Sequence, residues 1–454
     1  MVRAVKYILR EANFLSLMGN MAVSLFGFAG FAVMAHGFPP KVFGEWVLFI
    51  SSAALVDMFR FGITTTAVVR NLSGADKLEG RRIIGSFILI LILVSTALTV
   101  LIWGVYLAFP GPIQRSGYEL FFRWFPVMMF LTLPFYCALV ILQAQMRFGK
   151  ILLINLISSG TFFCFILVSN LFFSPSLTHI VIAQLTIFLA TSVVCLLAGW
   201  DGIKYLRYAS KDTTRTLLNF GKYTTFTLIG TNLLRGADTL IISLSPMGTA
   251  AVALYSIPMK LTELQQIPLR SFGATAFPRM SKASIQGKVS EVRNSFYTYS
   301  GAMTYLFAFI SLITFVFADF FVMLVGGRQY LLSDPNLEAN AVHIMRIFSI
   351  YGLLLPIERM TGIGLDSVNR PDRNFQKVLF MLIANVIGDL IAVFLLKSLV
   401  MVAVASVVFT LLGIWLGYYY LDREISLNRG KIFSSGITFY KLMFQKIRNQ
   451  EWGN

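Results

Sequence analysis

The chain is written as apolar runs of around 20 residues, each closed by a short polar or Pro/Gly-rich stretch, and runs such as Phe87 to Leu101 show no apolar/polar alternation. A transmembrane β-barrel would need short alternating segments, so the pattern predicts an all-α membrane protein. Phe14 to Ala35 makes a first span, and the Gly37-Phe38-Pro39-Pro40 turn leads into a second, Trp46 to Val69. A third covers Ile83 to Phe109, and a Pro-Gly-Pro turn at 110–112 reverses it into a fourth, Phe121 to Gln145. Ile151 to Phe173 and Leu177 to Trp200 form the fifth and sixth, joined through Ser174-Pro175-Ser176.

After a basic loop carrying Lys204, Arg207, Lys211, Arg215 and Lys222, spans seven (Phe220 to Leu244) and eight (Leu254 to Phe277) meet at Ser245-Pro246-Met247-Gly248. Span nine runs from Phe296 to Phe317 and continues to the Gly326-Gly327-Arg328-Gln329-Tyr330 turn, with Asp334 and Glu338 in the stretch before span ten, Ala341 to Leu365. Arg370, Arg373 and Lys377 separate it from span eleven, Val378 to Leu396, and Val400 to Tyr420 closes the series as span twelve. Beyond Asp422, Ile432, Phe433, Ile437, Tyr440, Met443, Phe444 and Ile447 recur at helical spacing with Lys441 and Lys446 off that face, which predicts an amphipathic helix on an anionic membrane surface. Met1 to Asn13 is basic and the run after it is long enough to remain as a span, so no cleaved leader is expected.

Composition agrees: 57% of residues are hydrophobic, 13% charged, and mean hydropathy is +0.74. A formal charge of +17 would suggest nucleic acid in a soluble protein, but here the positions of the cations decide. Only Lys41, Arg115, Arg123, Arg328 and Lys397 fall in odd-numbered loops, and Arg60, Arg235, Lys260, Arg270, Arg346 and Arg359 lie within spans. The rest of the 38 Lys and Arg occupy the termini and the even-numbered loops, so the positive-inside rule predicts cytoplasmic termini and removes the need for a nucleic-acid partner. Cys137, Cys164 and Cys195 have no metal-ligand spacing and read as small buried residues, and His36, His179 and His343 have no acidic or histidine partner nearby in sequence; no metal or catalytic centre is predicted.

The chain also resembles itself. Aligning Thr66-Ala67-Val68-Val69-Arg70 with Thr275-Ala276-Phe277-Pro278-Arg279 pairs Trp46 with Tyr255 without a gap and superposes the two inter-span turns. Spans one and two then correspond to seven and eight, giving two six-helix bundles related by a pseudo-two-fold repeat: residues 1–203, residues 204–422, and a basic amphipathic tail, 423–454. Such a pair of bundles is expected to enclose a central cleft.

Charges inside spans mark where that cleft would be polar, because even on lenient scales one such charge costs roughly 2.5–3.5 kcal/mol at the bilayer centre. Asp57 and Arg60, Arg235 and Asp238, and Lys260 and Glu263 are opposite-sign pairs three residues apart, each on one helical face, and structural neutralisation within the bundle is an equal reading of any one pair. Arg270 has no local acid. Arginine forks match phosphate oxygens, so Arg60, Arg235, Lys260 and Arg270 are the candidate anion or diphosphate contacts, and Asp57, Asp238 and Glu263 the candidates for a coupling proton or sodium ion.

The run Phe43-Gly44-Glu45-Trp46 through Asp57, Gly62 and Arg70 resembles the second-helix pattern of polysaccharide flippases in the multidrug/oligosaccharidyl-lipid/polysaccharide (MOP) exporter superfamily. Asp238 with Ile241-Ile242, Tyr255-Ser256-Ile257-Pro258-Met259-Lys260, Pro268 and Phe277-Pro278-Arg279-Met280-Ser281 are similar to its seventh and eighth helices, and Leu324 to Tyr330 to its turn after helix nine. The resemblance covers Phe14 to Asp422 and implies a MATE-like fold and a flippase of the O-antigen (Wzx) type. Such a protein moves undecaprenyl-diphosphate-linked oligosaccharide from the cytoplasmic to the periplasmic leaflet of a bacterial inner membrane by alternating access. Implied partners are that lipid and the surrounding membrane lipids, with the polymerase and chain-length proteins of the same pathway as further candidates. No cofactor is expected beyond a proton or sodium gradient. Lipid II flippases of the superfamily usually carry two further helices, which this pattern lacks.

Two other classes compete. A drug or cation antiporter of the same fold would favour a net acidic cleft, whereas spans seven and eight carry three bases against two acids. A membrane enzyme such as a polymerase would be expected to hold a large outer loop and an acid–histidine pair, neither of which the sequence offers; a non-transporting scaffold of a glycan assembly complex is the remaining alternative.

Overall fold

In the computed structural model the chain is helical, with no strand among the described residues, which are 12–62, 64–72, 75–173, 175–331, 341–428 and 430–448. The segment around Asp334 and Glu338 lies outside them, as do the side chains of Arg235, Met443, Phe444, Lys446 and Ile447. The chain divides into two compact units, Met1–Asn232 with Gly248–Ala250, and Leu233–Met247 with Ala251–Asn454.

The first unit contains α1 (Ala12–Gly37), α2 (Pro40–Gly62), α3 (Thr65–Leu72), α4 (Lys77–Ala108), the short α5 (Pro110–Arg115), α6 (Glu119–Ala144), α7 (Phe148–Asn155), α8 (Thr161–Phe172) and α9 (Leu177–Leu197). α10 (Lys211–Ser243) begins in this unit, and α11 (Gly248–Ile285) places its first turn there. Thr249 Oγ1 donates to the Lys41 carbonyl at 2.9 Å, and Gly44 lies so close that a Cβ would sit 1.8 Å from the Thr249 oxygen. The second unit continues with α12 (Val289–Val316), α13 (Ala318–Gly326), α14 (Ala341–Ser367), α15 (Pro371–Leu390), α16 (Leu399–Ile425) and α17 (Gly430–Arg448).

Helix ends follow local chemistry. Asp76 caps α4, its carboxylate accepting from the Leu78 and Glu79 amides at 2.9 and 2.8 Å. Ser176 and His179 form a reciprocal capping box on α9, which accounts for that histidine. Pro371 opens α15, where its missing N–H costs nothing. Single π-turns at Leu156–Gly160 and Ile391–Leu395 carry α7 into α8 and extend α15. Nine helices among the described residues are long and apolar enough to cross a membrane, and α1 holds a shorter apolar segment, Met21–Gly37.

Each unit packs its own core. Val68, Ile84, Phe87, Leu91, Leu133 and Cys137 meet between α3, α4 and α6; Met280, Phe296, Met360, Leu365, Leu421 and Ile425 meet between α11, α12, α14 and α16. The outer faces are apolar as well: Leu107, Leu197, Phe172 and Leu395 are 79, 85, 74 and 74% exposed. Apolar surface on that scale, over helices with internally satisfied backbones, identifies a multi-pass membrane protein. Cys137 and Cys195 are buried as expected, but Cys164 is exposed on α8 beside the exposed Val168 and Leu171, because that face of the helix is an outer one.

The C-terminal helix does form, and one side of it is buried. α17 packs along α12: Tyr297 Oη accepts from the Asn428 amide at 2.6 Å, and Tyr440 Oη donates to the Ala302 carbonyl at 2.9 Å. At the crossing, a Cβ on Gly301 would stand 2.2 Å from the Ile432 oxygen and 2.6 Å from the Gly436 nitrogen, so Gly301 is what lets the backbones approach. Ile432 is buried while Phe433, Ile437 and Leu442 remain exposed.

Candidate functional site

Two polar clusters occupy the interiors of the two units. In the first, Arg60 near the end of α2 is wholly buried. Its guanidinium donates to Asp57 Oδ1 at 3.0 Å, as the three-residue spacing predicts, and to Thr132 Oγ1 of α6 at 3.2 Å. The Phe61 ring lies 4.3 Å and the Tyr136 ring 5.7 Å from the guanidinium carbon, so apolar aromatic walls face the ion while the carboxylate neutralises it. The pair holds α2 to α6.

The second cluster is built differently. Asp238 of α10 and Asp389 of α15 are both buried, and the Asn385 amide nitrogen, one turn before Asp389, donates to Asp238 Oδ1 and to Asp389 Oδ2 at 3.1 Å each. Asp238 also accepts from the hydroxyl of Tyr255 on α11 and, at 3.4 Å, from Ser406 on α16. Among the described residues no Lys or Arg lies within 4.0 Å of either carboxylate, in contrast to Asp57. Asp389 Oδ1 and Asn385 Oδ1 are buried without a hydrogen-bond partner among those residues. Two carboxylates facing one neutral amide in an apolar setting need a bound cation or a proton to compensate them. This donor set of two carboxylates, an amide, a hydroxyl and a phenol is oxygen-rich, suited to a hard monovalent ion or a proton. Clusters of three or more His, Cys, Asp or Glu able to hold a metal are absent among the described residues.

The remaining sequence candidates lie on α11. Lys260 donates to Glu263 at 2.7 Å, the two side chains 32 and 47% exposed, and Ile267 and Arg270 follow along the same exposed face. Lys260 therefore pairs with its helical neighbour, and Asp238 takes its partners from α11, α15 and α16. Arg235 belongs to α10, but its side chain lies outside the described residues.

Asn385, Asp389 and Ser406 escaped the sequence reading, although an Asn and an Asp four residues apart within an apolar run were a visible signal. A further buried pair was also missed: Lys377, expected in a loop, lies on α15, because Pro371 starts that helix early. Its ammonium donates to Glu358 of α14 at 2.7 Å through the carboxylate and 3.0 Å through the carbonyl.

Comparison with known proteins adds the family. A profile described as "Polysaccharide biosynthesis protein" matches residues 9–284, more than half of the chain. The chain belongs to the polysaccharide biosynthesis protein family. The family match spans Asp57, Arg60, Asp238, Lys260, Glu263 and Arg270 and ends before Asn385, Asp389 and Ser406. By sequence, no curated protein matches this family member.

Its fold is that of MOP superfamily transporters. An inward-facing multidrug resistance MATE family transporter superposes with a TM-score of 0.71 at 14% identity, covering 90% of this chain and 98% of that one. The lipid II flippase MurJ, in an inward closed conformation, gives 0.73 at 13% identity, with 97% of this chain and 94% of that one covered. A MOP superfamily transporter from Pyrococcus furiosus, whose binding pocket has reversed polarity, gives 0.55 at 14% identity, covering 91% and 95%.

Proposed function

We propose that this protein is a flippase that carries an undecaprenyl-diphosphate-linked oligosaccharide from the cytoplasmic to the periplasmic leaflet of a bacterial inner membrane, by alternating access and coupled to a cation gradient. The observation that carries the reading is the joint one: a member of the polysaccharide biosynthesis protein family with the fold of a lipid II flippase over 97% of its length. In this reading the chain is a transporter and not an enzyme, with both termini cytoplasmic. The diphosphate meets Lys260 and Arg270 on the exposed face of α11, joined by Arg235. The Asp238–Asn385–Asp389 cluster takes up the coupling ion, because it holds buried carboxylates with no Lys or Arg paired to them among the described residues. Asp57 and Arg60, paired inside the first unit, have a positioning role.

The experiment is translocation of a lipid-diphosphate-linked sugar in liposomes, with and without an imposed sodium or proton gradient. Gradient-dependent transport, abolished by Lys260→Ala or Arg270→Ala in folded protein and uncoupled by Asp238→Asn, is the expected result. If no such lipid moves while a cationic dye is driven out by the gradient, the protein is an antiporter and the proposal is wrong.

A further inference from the structure

The 3-10 turn Ile203–Tyr208, between α9 and α10, is fixed to the first helical turns of α4. Ser86 and Ser210 exchange hydrogen bonds, the Ser210 amide donating to Ser86 Oγ at 3.1 Å and Ser86 Oγ donating to the Ser210 carbonyl at 3.3 Å. A Cβ on Gly85 would stand 2.3 Å from the Tyr205 oxygen, so the turn's backbone lies directly on the helix. Asp201 accepts from the Ile203 amide at 2.6 Å, and Gly202 enters the turn at φ +74° with Ile84 and Ile141 against it. The turn is thus a preformed surface rather than a loose basic loop.

On that surface Tyr205 and Tyr208, ring centroids 6.4 Å apart, form a half-buried platform. The Arg81 guanidinium carbon lies 5.8 Å from the Tyr205 ring and 5.7 Å from Tyr208. Lys204 is 5.3 Å from Tyr205; Arg207 is 5.1 Å from Tyr208 and donates to its hydroxyl at 3.4 Å. Three exposed cations therefore gather over two rings, and among the described residues none of them has a carboxylate within 4.0 Å. Two other basic segments do hold such pairs: Lys288 with Glu291, and Arg370 with Asp372 and Glu424 beside Arg373 with Asp372. Like charges held this close favour an anion between them. Its surroundings are apolar and open, since Leu197, the last residue of α9, is 85% exposed and Leu78, one turn before Arg81 and Arg82, is 52% exposed. Such a neighbourhood suits the headgroup level of a bilayer, where tyrosines sit between hydrocarbon and water.

We propose that Arg81, Lys204 and Arg207, on the Tyr205–Tyr208 platform, form a binding site for the phosphate of a lipid headgroup in the leaflet at that end of the first unit. The guanidinium and ammonium groups contact the phosphate oxygens, and the acyl chains run down the exposed apolar sides of α4 and α9. The site is separate from the transport residues proposed above, and binding is read without any transported substrate.

The test uses full-length protein in detergent, titrated with phosphatidylglycerol or phosphatidylcholine and read by native mass spectrometry. Wild type retains the anionic lipid preferentially. The variant Arg81→Gln/Lys204→Gln/Arg207→Gln loses affinity for it on the order of a hundredfold, from roughly fivefold per cation. Tyr205→Leu/Tyr208→Leu, with every charge kept, weakens it severalfold. A control with the same charge change at paired positions, Lys288→Gln/Arg370→Gln/Arg373→Gln, stays near wild type. Equal retention by the first variant, or equal loss in the control, overturns the site. Full displacement of phosphatidylglycerol by millimolar inorganic phosphate overturns its assignment to a lipid. If the triple variant does not fold, the three single variants carry the same test at roughly fivefold each.

Discussion

Replacing Asp389 by Asn should stabilise the empty protein and at the same time remove its response to ions. Asn385 Nδ2 stands 3.1 Å from one oxygen of each carboxylate, so those oxygens are at most about 6 Å apart, and among the described residues no Lys or Arg pairs with either group. At an effective dielectric near 20, two unit charges at that distance repel by ~3 kcal/mol, equivalent to about a hundredfold in affinity for whatever cation or proton relieves them. Asp389→Asn keeps the shape and removes one charge. Thermal unfolding of purified protein at neutral pH, in potassium-free and sodium-free buffer, should then occur at a higher temperature than in wild type. Wild type should be stabilised by added sodium or by lowering pH, and the variant should lose most of that gain, because ligand stabilisation follows the affinity for the native state. A variant that unfolds earlier than wild type and keeps the full sodium- or pH-dependent gain would refute charge compensation at this cluster; Asp389 would then be a structural hydrogen-bond acceptor.

Arg60→Ala should cost about 3–5 kcal/mol of stability by leaving Asp57 buried beside no cation, and Arg60→Lys should recover only part because it loses the fork to Thr132; chemical unfolding monitored by tryptophan fluorescence measures both. Lys377→Met alone should destabilise by a similar amount through the orphaned Glu358 carboxylate, whereas Lys377→Met/Glu358→Met should return most of the loss in the same assay. Burial pushes the Tyr440 phenol above its usual value. Its share of α17 docking is therefore complete below about pH 10 and lost as pH rises through the higher folded value. Proteolysis at Lys441 should accelerate in that alkaline window in wild type, and Tyr440→Phe should flatten the dependence at a cost of about 1 kcal/mol. Gly301→Val should expose the same bond at any pH, since its Cβ would collide with the Ile432 carbonyl.

The helices were legible because each span is a contiguous apolar run, and the i,i+3 pairs Asp57–Arg60 and Lys260–Glu263 were legible because helical geometry alone brings them together. The Asp238 cluster was half legible. An aspartate in an apolar segment signals itself, but its real partners come from 17, 147 and 168 residues away, and one sequence carries no record of such contacts. Lys377 was misplaced for a simpler reason: a lysine after two arginines looks like loop, and the helix-starting role of Pro371 was not weighed. The basic turn at Ile203–Tyr208 was visible as charge but not as a platform, because its order depends on Gly85 and Ser86 far upstream.

The close contact between Gly301 and Gly436 bears on how orientation is mapped with reporter fusions. A reporter joined after Arg448 leaves α17 seated on α12. One joined at Asp422 strips α12 of its companion, baring Gly301, Ala302 and Tyr297 at once. A truncation series through the last thirty-odd residues would then register misfolding as a change of side, so sandwich fusions that preserve the final helix are the sound design for this chain.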